Sequence, residues 1–338
     1  MQRTTFVTLS SLVIASSCAF LGFAPVATPT SPTAPAPLVA RAAPVRIGVS
    51  IPAADHGWTA GVVWWAKECS KLHPEVEWTI ATAETPEKQI SDIEAMLAKK
   101  VDGLVILATE SAPITPVAEE AHNRGVLVVN VDRGFLKPVA DIFIEGDNKA
   151  FGRKSAEFMV SKLGGKGAAK GQIIVLEGIP CTVNSDRVGA AMEVFKAEPG
   201  ITIVGQQAAN WNRQKALEVC ETLLQKNPKV NAIWASDDDM ALGAEQALTE
   251  KGIEGCWILG GAGMKDVVKR VMNNDPMFPG DITSPPSMIA TGMEMASSVL
   301  VGGKRAEKMQ YMPAHLMIDV ELITPANAKK YYFADSIY

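Results

Sequence analysis

Acids, bases and large rings recur in this chain where apolar stretches stop. Val126-Leu127-Val128-Val129-Asn130-Val131 is apolar or β-branched apart from Asn130, and Asp132, Arg133 and Gly134 follow at once. Such an unalternating run suits a strand buried on both faces of a parallel sheet. In an open α/β sheet, ligands bind outside the carboxyl ends of the strands. There Asp132 would offer carboxylate acceptors beside the planar five-donor fork of Arg133. One such pair reads equally well as a surface turn. The pattern, however, recurs. The first apolar run leads into Asp55-His56-Gly57-Trp58, another region into Asp186-Arg187, another into Asn210-Trp211-Asn212, and another into Ser236-Asp237-Asp238-Asp239.

Each of these groups has a plainer role. Trp58 could belong to a helix core, although Trp64 and Trp65 are better placed for one. Trp211 could be packing, but two asparagines bracket it, as in a wet loop. Of the three consecutive acids, Asp238 and Asp239 are expected to cap the next helix, since acids favour helix N-termini. That leaves Asp237 free to face a ligand. Two tryptophans, several carboxylates and several arginines at strand ends suit a sugar or polyol. Aromatic faces cover its C–H surfaces, and charged groups bind its hydroxyls at roughly 1.5–3 kcal/mol each.

Catalytic readings are poorer. There is no Gly-x-Ser-x-Gly elbow and no Walker loop in the sequence. Gly260-Gly261-Ala262-Gly263 lacks full dinucleotide spacing and reads as a tight turn. A glycosidase needs two carboxylates at a set separation, and Asp132 and Asp237 could be cast so, yet each has a simpler role as a hydroxyl acceptor. With four histidines and no paired spacing, no metal and no cofactor are expected.

The elements that must position these groups alternate. Strand runs at Val45–Ile51, Val76–Ala81, Gly103–Ala108 and Val126–Val131 are separated by helical patterns at Trp58–Leu72, Pro86–Lys99 and Pro113–Asn123. A short strand, Asp141–Gly146, and a helix after Asp147-Asn148 lead to a second set of similar size. Its strands begin at Gln172, Ile201, Ala232 and Trp257. A helix at Lys265–Met272, a strand near Gly280–Thr283, a helix at Met288–Val301 and a last strand at Met317–Leu322 complete the chain. Strands alternating with helices of 10–15 residues indicate βαβ units and parallel sheets, here in two similar domains.

The chain has 338 residues, enough for two domains with real cores. A net charge of −5 gives no basic footprint for nucleic acid. Met1–Phe23, basic then apolar, has the pattern of a secretory leader. Its apolar stretch nears the shortest membrane spans, ~17 residues, so an uncleaved anchor is a weaker third option. Two processing sites compete evenly: Ala40-Arg41-Ala42 as a small-x-small cleavage site, and Ala15-Ser16-Ser17-Cys18 as a lipobox-like sequence with Cys18 as the lipidated residue. The Pro/Ala/Thr-rich Pro25–Pro44 would serve as a tether. The later cysteines Cys69, Cys181, Cys220 and Cys256 match no zinc spacing and are expected to be buried thiols.

From about Arg46 to Leu322 the chain resembles the periplasmic sugar-binding proteins of the ribose-binding type, the solute receptors of ABC importers. Arg46–Ser50 with the Asp55–Trp58 loop, Val128–Arg133, Ile144-Glu145-Gly146-Asp147-Asn148, Asp186-Arg187 and above all Ala232–Leu242 carry the likeness. The resemblance implies the type I periplasmic binding fold: two Rossmann-like lobes with parallel sheets, joined by a three-strand hinge. Residues 1–43 would be the leader and tether, 44–146 with 285–312 one lobe, and 147–284 with 313–338 the other. The implied ligand set is Asp55, Trp58, Asp132, Arg133, Arg187, Trp211 and Asp237; His56 is added from the sequence itself. The ribose type has Asn at the positions of Asp55 and Asp237, Phe at Gly57 and Trp58, Asp at Ala262 and Gln at Ser284. These departures widen the implied ligand to another pentose, a hexose or a sugar alcohol. The implied partner is an ABC permease with its ATPase, served by a monomeric receptor. A sensory module for a chemoreceptor or sensor kinase is the alternative, and a sugar-processing enzyme a more distant one. A repressor with this core would need a helix-turn-helix before Val45. For export, Cys18→Ser should abolish membrane association if the lipobox is used; unchanged association of the variant after cell fractionation rules the lipid tether out.

Overall fold

The computed structural model describes residues 44–338; the leader, Cys18 and Ala40-Arg41-Ala42 lie outside them. Val45–Pro52 (β1), Val76–Ala83 (β2), Gly103–Ile106 (β3), Leu127–Val131 (β4) and Ile142–Gly146 (β5) are strands of one sheet. Gly57–Leu72 (α1), Pro86–Ala98 (α2) and Ser111–Asn123 (α3) alternate with them. All pairings are parallel. Helices cover both faces, so every residue of β3 and β4 is buried. This is the physical reason that these runs are apolar throughout rather than alternating.

After Asn148–Lys162 (α4), the pattern repeats with Gly171–Glu177 (β6), Thr182–Lys196 (α5), Ile201–Ala208 (β7), Arg213–Lys226 (α6), Ala232–Trp234 (β8), Asp238–Glu250 (α7) and Trp257–Leu259 (β9). These strands form a second parallel sheet in the order β7-β6-β8-β9. Lys265–Met272 (α8) and Asp281–Ile282 (β10) follow, then Met288–Leu300 (α9), which packs on α1 and under β1, β3, β4 and β5 in the first lobe. A short helix, Arg305–Met309 (α10), was not anticipated from the sequence.

The chain therefore passes between lobes near Gly146–Asn148, near Ser284–Pro286 and once more near its end. The single last strand expected at Met317–Leu322 is two. His315–Ile318 (β11) pairs with β5 at the edge of the first sheet, and Leu322–Ile323 (β12) pairs antiparallel with β10. The crossing lies between them, at 319–321, so residues 315–318 side with the first lobe rather than the second. Asp319 turns the chain there, its carboxylate accepting from the Val320 amide at 2.8 Å.

Two other expectations are corrected. Trp64 and Trp65 are each 37% exposed and stack edge-on to one another, whereas Trp58 is only 6% exposed. The mouth of α1, not its outer face, is what the fold covers. Gly260–Gly263 is no tight turn. Ala262 bridges in parallel to Thr283, with φ +149° there and +84° at Gly263. Gly261 is required because a Cβ would lie 2.2 Å from the Phe151 ring.

That segment hangs on Asp238, which accepts from the amides of Gly261 at 2.9 Å and Met264 at 2.7 Å. The buried carboxyl of Asp281 stands beside Asp238. Burial pushes Asp238 up to about 6; burial, then the neighbouring Asp238, raises Asp281 well above the ordinary carboxylate range. Two adjacent buried carboxyls cannot both ionise cheaply. Both folded-state values lie above the unfolded ones. The pair's contribution is thus full below the unfolded pKa and fades as pH rises through about 6. Asp281→Asn keeps a donor to Asp238 without titrating. Its melting temperature should gain on the parent's as pH is raised from about 5 to about 8; parallel melting curves would refute the raised pKa values of the pair.

Candidate functional site

Strand ends of both lobes converge on one cavity, and the turns at those ends are unusual. Asp132, immediately after β4, has φ +63°; Ser236, after β8, has φ +55°; Asn210 and Trp211, after β7, have φ +59° and +55°. Left-handed backbone at non-glycine residues is uncommon and clusters at functional sites. Asn130 holds the first of these turns. Its amide nitrogen donates to the Arg133 carbonyl at 3.0 Å and its oxygen accepts from the Phe135 amide at 3.1 Å. The single polar residue in the apolar strand therefore pins the turn that aims Asp132.

His56, Trp58, Asp132, Arg133, Arg187, Trp211 and Asp237 all line this cavity, with Val183, Ala262 and Ser284. Seven of the eight residues named from the sequence thus meet. Asp55 does not join them. Its carboxylate bonds His56 Nδ1 at 2.6 Å and the Thr59 hydroxyl at 2.9 Å, outside the cavity, and so orients the imidazole. Trp58 donates its indole N–H to the Ser284 carbonyl at 2.8 Å. Trp211 lies flat on Gly178, where a Cβ would stand 2.1 Å from the ring.

The two arginines are held differently. Arg133 donates through Nη1 to the carbonyls of Ala108 at 3.0 Å and Thr109 at 2.9 Å, and its guanidinium lies 5.1 Å from the Trp211 ring centre. Arg187 donates to Asn148 Oδ1 at 2.9 Å, the Ser236 carbonyl at 3.1 Å and Ser284 Oγ at 3.0 Å, and sits 3.8 Å over Phe151. It reaches this depth because Gly152 of α4 lets α5 approach closely; a Cβ there would be 2.0 Å from the Arg187 carbonyl.

Among the acids, the cap of α7 is Asp237, accepting from the Met240 amide at 2.9 Å. Asp238 and Asp239, expected to cap, have other tasks. Asp239 reaches across the cleft to the Gly57 amide at 2.7 Å and pairs with Arg213 at 2.8 Å. Gly134 and Thr182, bonded at 2.8 Å, make a second contact between lobes. Burial raises the pKa of Asp132, opposed by Arg133 and Arg187. Burial raises that of Asp237 further, reinforced by Asp239.

Three buried polar atoms at this cavity have no protein partner: Asp132 Oδ1, Arg133 Nε and Trp211 Nε1. They are one acceptor and two donors. Leaving such groups unpaired costs about 1–3 kcal/mol each. The space between the walls is small and partly open to solvent. Its formal charges balance, two carboxylates against two guanidiniums. Ser284, Ala262 and Val183 are wall residues that the strand-end reading could not supply, because they come from a crossover, a bridged loop and a helix start.

Residues 47–304 match the periplasmic binding protein domain family. The ribose import binding protein RbsB of Bacillus subtilis (strain 168) is 31% identical over 229 residues, 68% of this chain and 72% of that protein. An ABC transporter periplasmic solute-binding protein of Actinobacillus succinogenes 130z, solved with bound D-allose, superposes with a TM-score of 0.72 at 25% identity, covering 85% of this chain and 100% of its own. The fructose-binding periplasmic domain of a hybrid two-component system does so with a TM-score of 0.75 at 26% identity, over 85% and 93% of the two chains. Two parallel-sheet lobes, three crossings and a cavity at facing strand ends agree with these matches: the chain belongs to the periplasmic binding protein family, in the ribose-type branch that its motifs resemble.

Proposed function

We propose that this protein is an extracytoplasmic receptor that captures a neutral monosaccharide or polyol between its lobes and delivers it to an ABC permease with its ATPase. The observation that carries the reading is the unpaired buried trio of Asp132 Oδ1, Arg133 Nε and Trp211 Nε1 inside a charge-balanced cavity. A hydroxyl both donates and accepts, so neighbouring hydroxyls on one small ring satisfy all three. An anionic or cationic ligand would unbalance the walls. The ribose and D-allose named for the relatives are both neutral single-ring sugars.

Binding rather than catalysis is the role that fits these side chains. Asp237 is committed to the first turn of α7, and Arg187 to three protein acceptors. We further propose that the lobes divide at the three crossings, that export precedes function through the leader before residue 44, and that the receptor acts as a monomer. A sensory role is the second reading, favoured by the fructose-binding domain of the two-component system.

A titration against a panel of pentoses, hexoses and polyols tests the capture reading. A ligand should quench or shift tryptophan fluorescence through Trp58 and Trp211, and at 100 times its Kd should add about 2.7 kcal/mol of stability. No thermal shift with any neutral sugar or polyol, but a shift with a charged metabolite, would overturn it.

The carboxylate and the guanidinium separate by substitution. Asp132→Ala should weaken binding about ten- to a hundredfold, the loss of a charged hydrogen bond of ~1.5–3 kcal/mol. The melting temperature of the free protein should hold or rise, because a costly buried carboxylate is gone. Arg133→Ala should weaken binding similarly but also lower the melting temperature, since Ala108 and Thr109 lose their donor. Calorimetric titration and a melt on both variants check this; normal affinity in Asp132→Ala would remove Asp132 from the ligand set.

A further inference from the structure

We propose that the first lobe carries a divalent metal site of the zinc class, built from Cys69 and His73 of α1 and its C-cap with Glu294 of α9. The three candidate ligand atoms lie within 4.8 Å of one another. His73 Nε2 is 2.8 Å from Glu294 Oε2, and Cys69 Sγ is 3.6 Å from Glu294 Oε1. A thiolate, an imidazole and a carboxylate form a tripod that leaves one tetrahedral position for water. Zinc takes all three donor types, at about 2.3 Å for sulfur and about 2.0–2.2 Å for nitrogen and oxygen. Those bonds set neighbouring ligand atoms roughly 3.3–3.6 Å apart, so the cluster needs small rotamer adjustments and no backbone movement.

Two further features suit a metal. His73 Nδ1 bonds Glu75 at 3.0 Å, which fixes the ring and directs Nε2 at the cluster. A carboxylate behind a histidine ligand is the usual outer support of such sites. Exposure is graded. Cys69 is 3% exposed, while the side chains of His73 and Glu294 are 20% and 46% exposed. The sulfur closes the inner wall and the carboxylate opens to solvent, giving an ion a way in.

Cys69 and His73 are four apart, hence on one helix face, but Glu294 stands 221 residues beyond His73. A search of the sequence for paired histidines could not find this combination. The sugar cavity lies at the N-terminal mouth of α1; its 16 residues carry the chain ~24 Å from there at 1.5 Å per residue. A metal here would clamp α1 to α9 and leave the ligand cavity untouched.

The test uses the purified full chain, stripped with EDTA and dialysed against zinc chloride. One equivalent of zinc should bind and raise the melting temperature. Cys69→Ser and Glu294→Gln should lose that equivalent, with sugar affinity unchanged. Cobalt(II) added to the unaltered protein should give the near-ultraviolet absorption of a thiolate–cobalt bond, a readout that stands even if a variant folds poorly. Zinc uptake that persists in Cys69→Ser, or cobalt binding without the thiolate band, would overturn the site; so would no uptake at all.

Discussion

Arg187 carries its charge at the point where the two lobes exchange chain, and it is buried there. Removing an ion from water costs several kcal/mol even after relaxation, unless its donors are met. Asn148 from the first crossing, Ser284 from the second and the Ser236 carbonyl from the end of β8 meet them. Phe151 covers the guanidinium face at 3.8 Å. The side chain therefore fixes two hinge segments and a strand end of the second lobe in one frame. It also supplies positive charge toward Asp132 and Asp237, which burial alone would drive to the neutral state. The cation offsets part of that rise, while burial still keeps both carboxyls above their ordinary range.

The cavity walls depend on a second constraint, repeated in each lobe. A strand directs its side chains to the two faces of the sheet, not into a cleft beyond its end. At Asp132 and Ser236 a single left-handed residue turns the chain, so that Asp132 itself and then Asp237 face the cavity. Asp tolerates that conformation better than most residues because its short polar side chain can bond locally. Here Asp132 instead keeps Oδ1 free of protein partners. Its backbone amide is tied to the Ile144 carbonyl at 2.7 Å, so neighbouring β5 holds the turn in place.

Strands and helices were legible because each obeys a local rule. Apolar runs without alternation became β3 and β4, and Pro86 marked the start of α2. The convergence of seven ligand candidates was legible too, since His56, Trp58, Asp132, Arg133, Trp211 and Asp237 lie at or just after strand ends and Arg187 in the first half of the helix that follows β6. Long-range relations were not. That Asp55 serves His56 rather than the cavity follows from a one-residue difference in direction at the N-cap of α1. That Asp239 bonds Gly57 rather than capping its own helix follows from lobe closure, which no local pattern encodes. The exposure of Trp64 and Trp65 reflects which face of α1 meets α9. The split between β11 and β12 reflects a crossing that Asp319 alone signals.

The departures from the ribose type acquire a physical sense in this frame. Gly57, where that type has Phe, leaves room for the Asp239 carboxylate; a Cβ there would come 2.9 Å from its oxygen. Trp58 then provides the ring at the helix mouth and spends its N–H on the Ser284 carbonyl. Ser284 spends its hydroxyl on Arg187, so the shorter side chain at that position knits the hinge instead of reaching into the cavity. Ala262 offers only a methyl wall. Among the cavity residues, Asp132, Arg133 and Trp211 keep polar atoms without protein partners, while Ala262 and Val183 present apolar wall. Such a wall would read the hydroxyls that meet the unpaired polar atoms and tolerate variation against its apolar parts. That explains why the family likeness defines a chemical class of ligand more sharply than any one sugar.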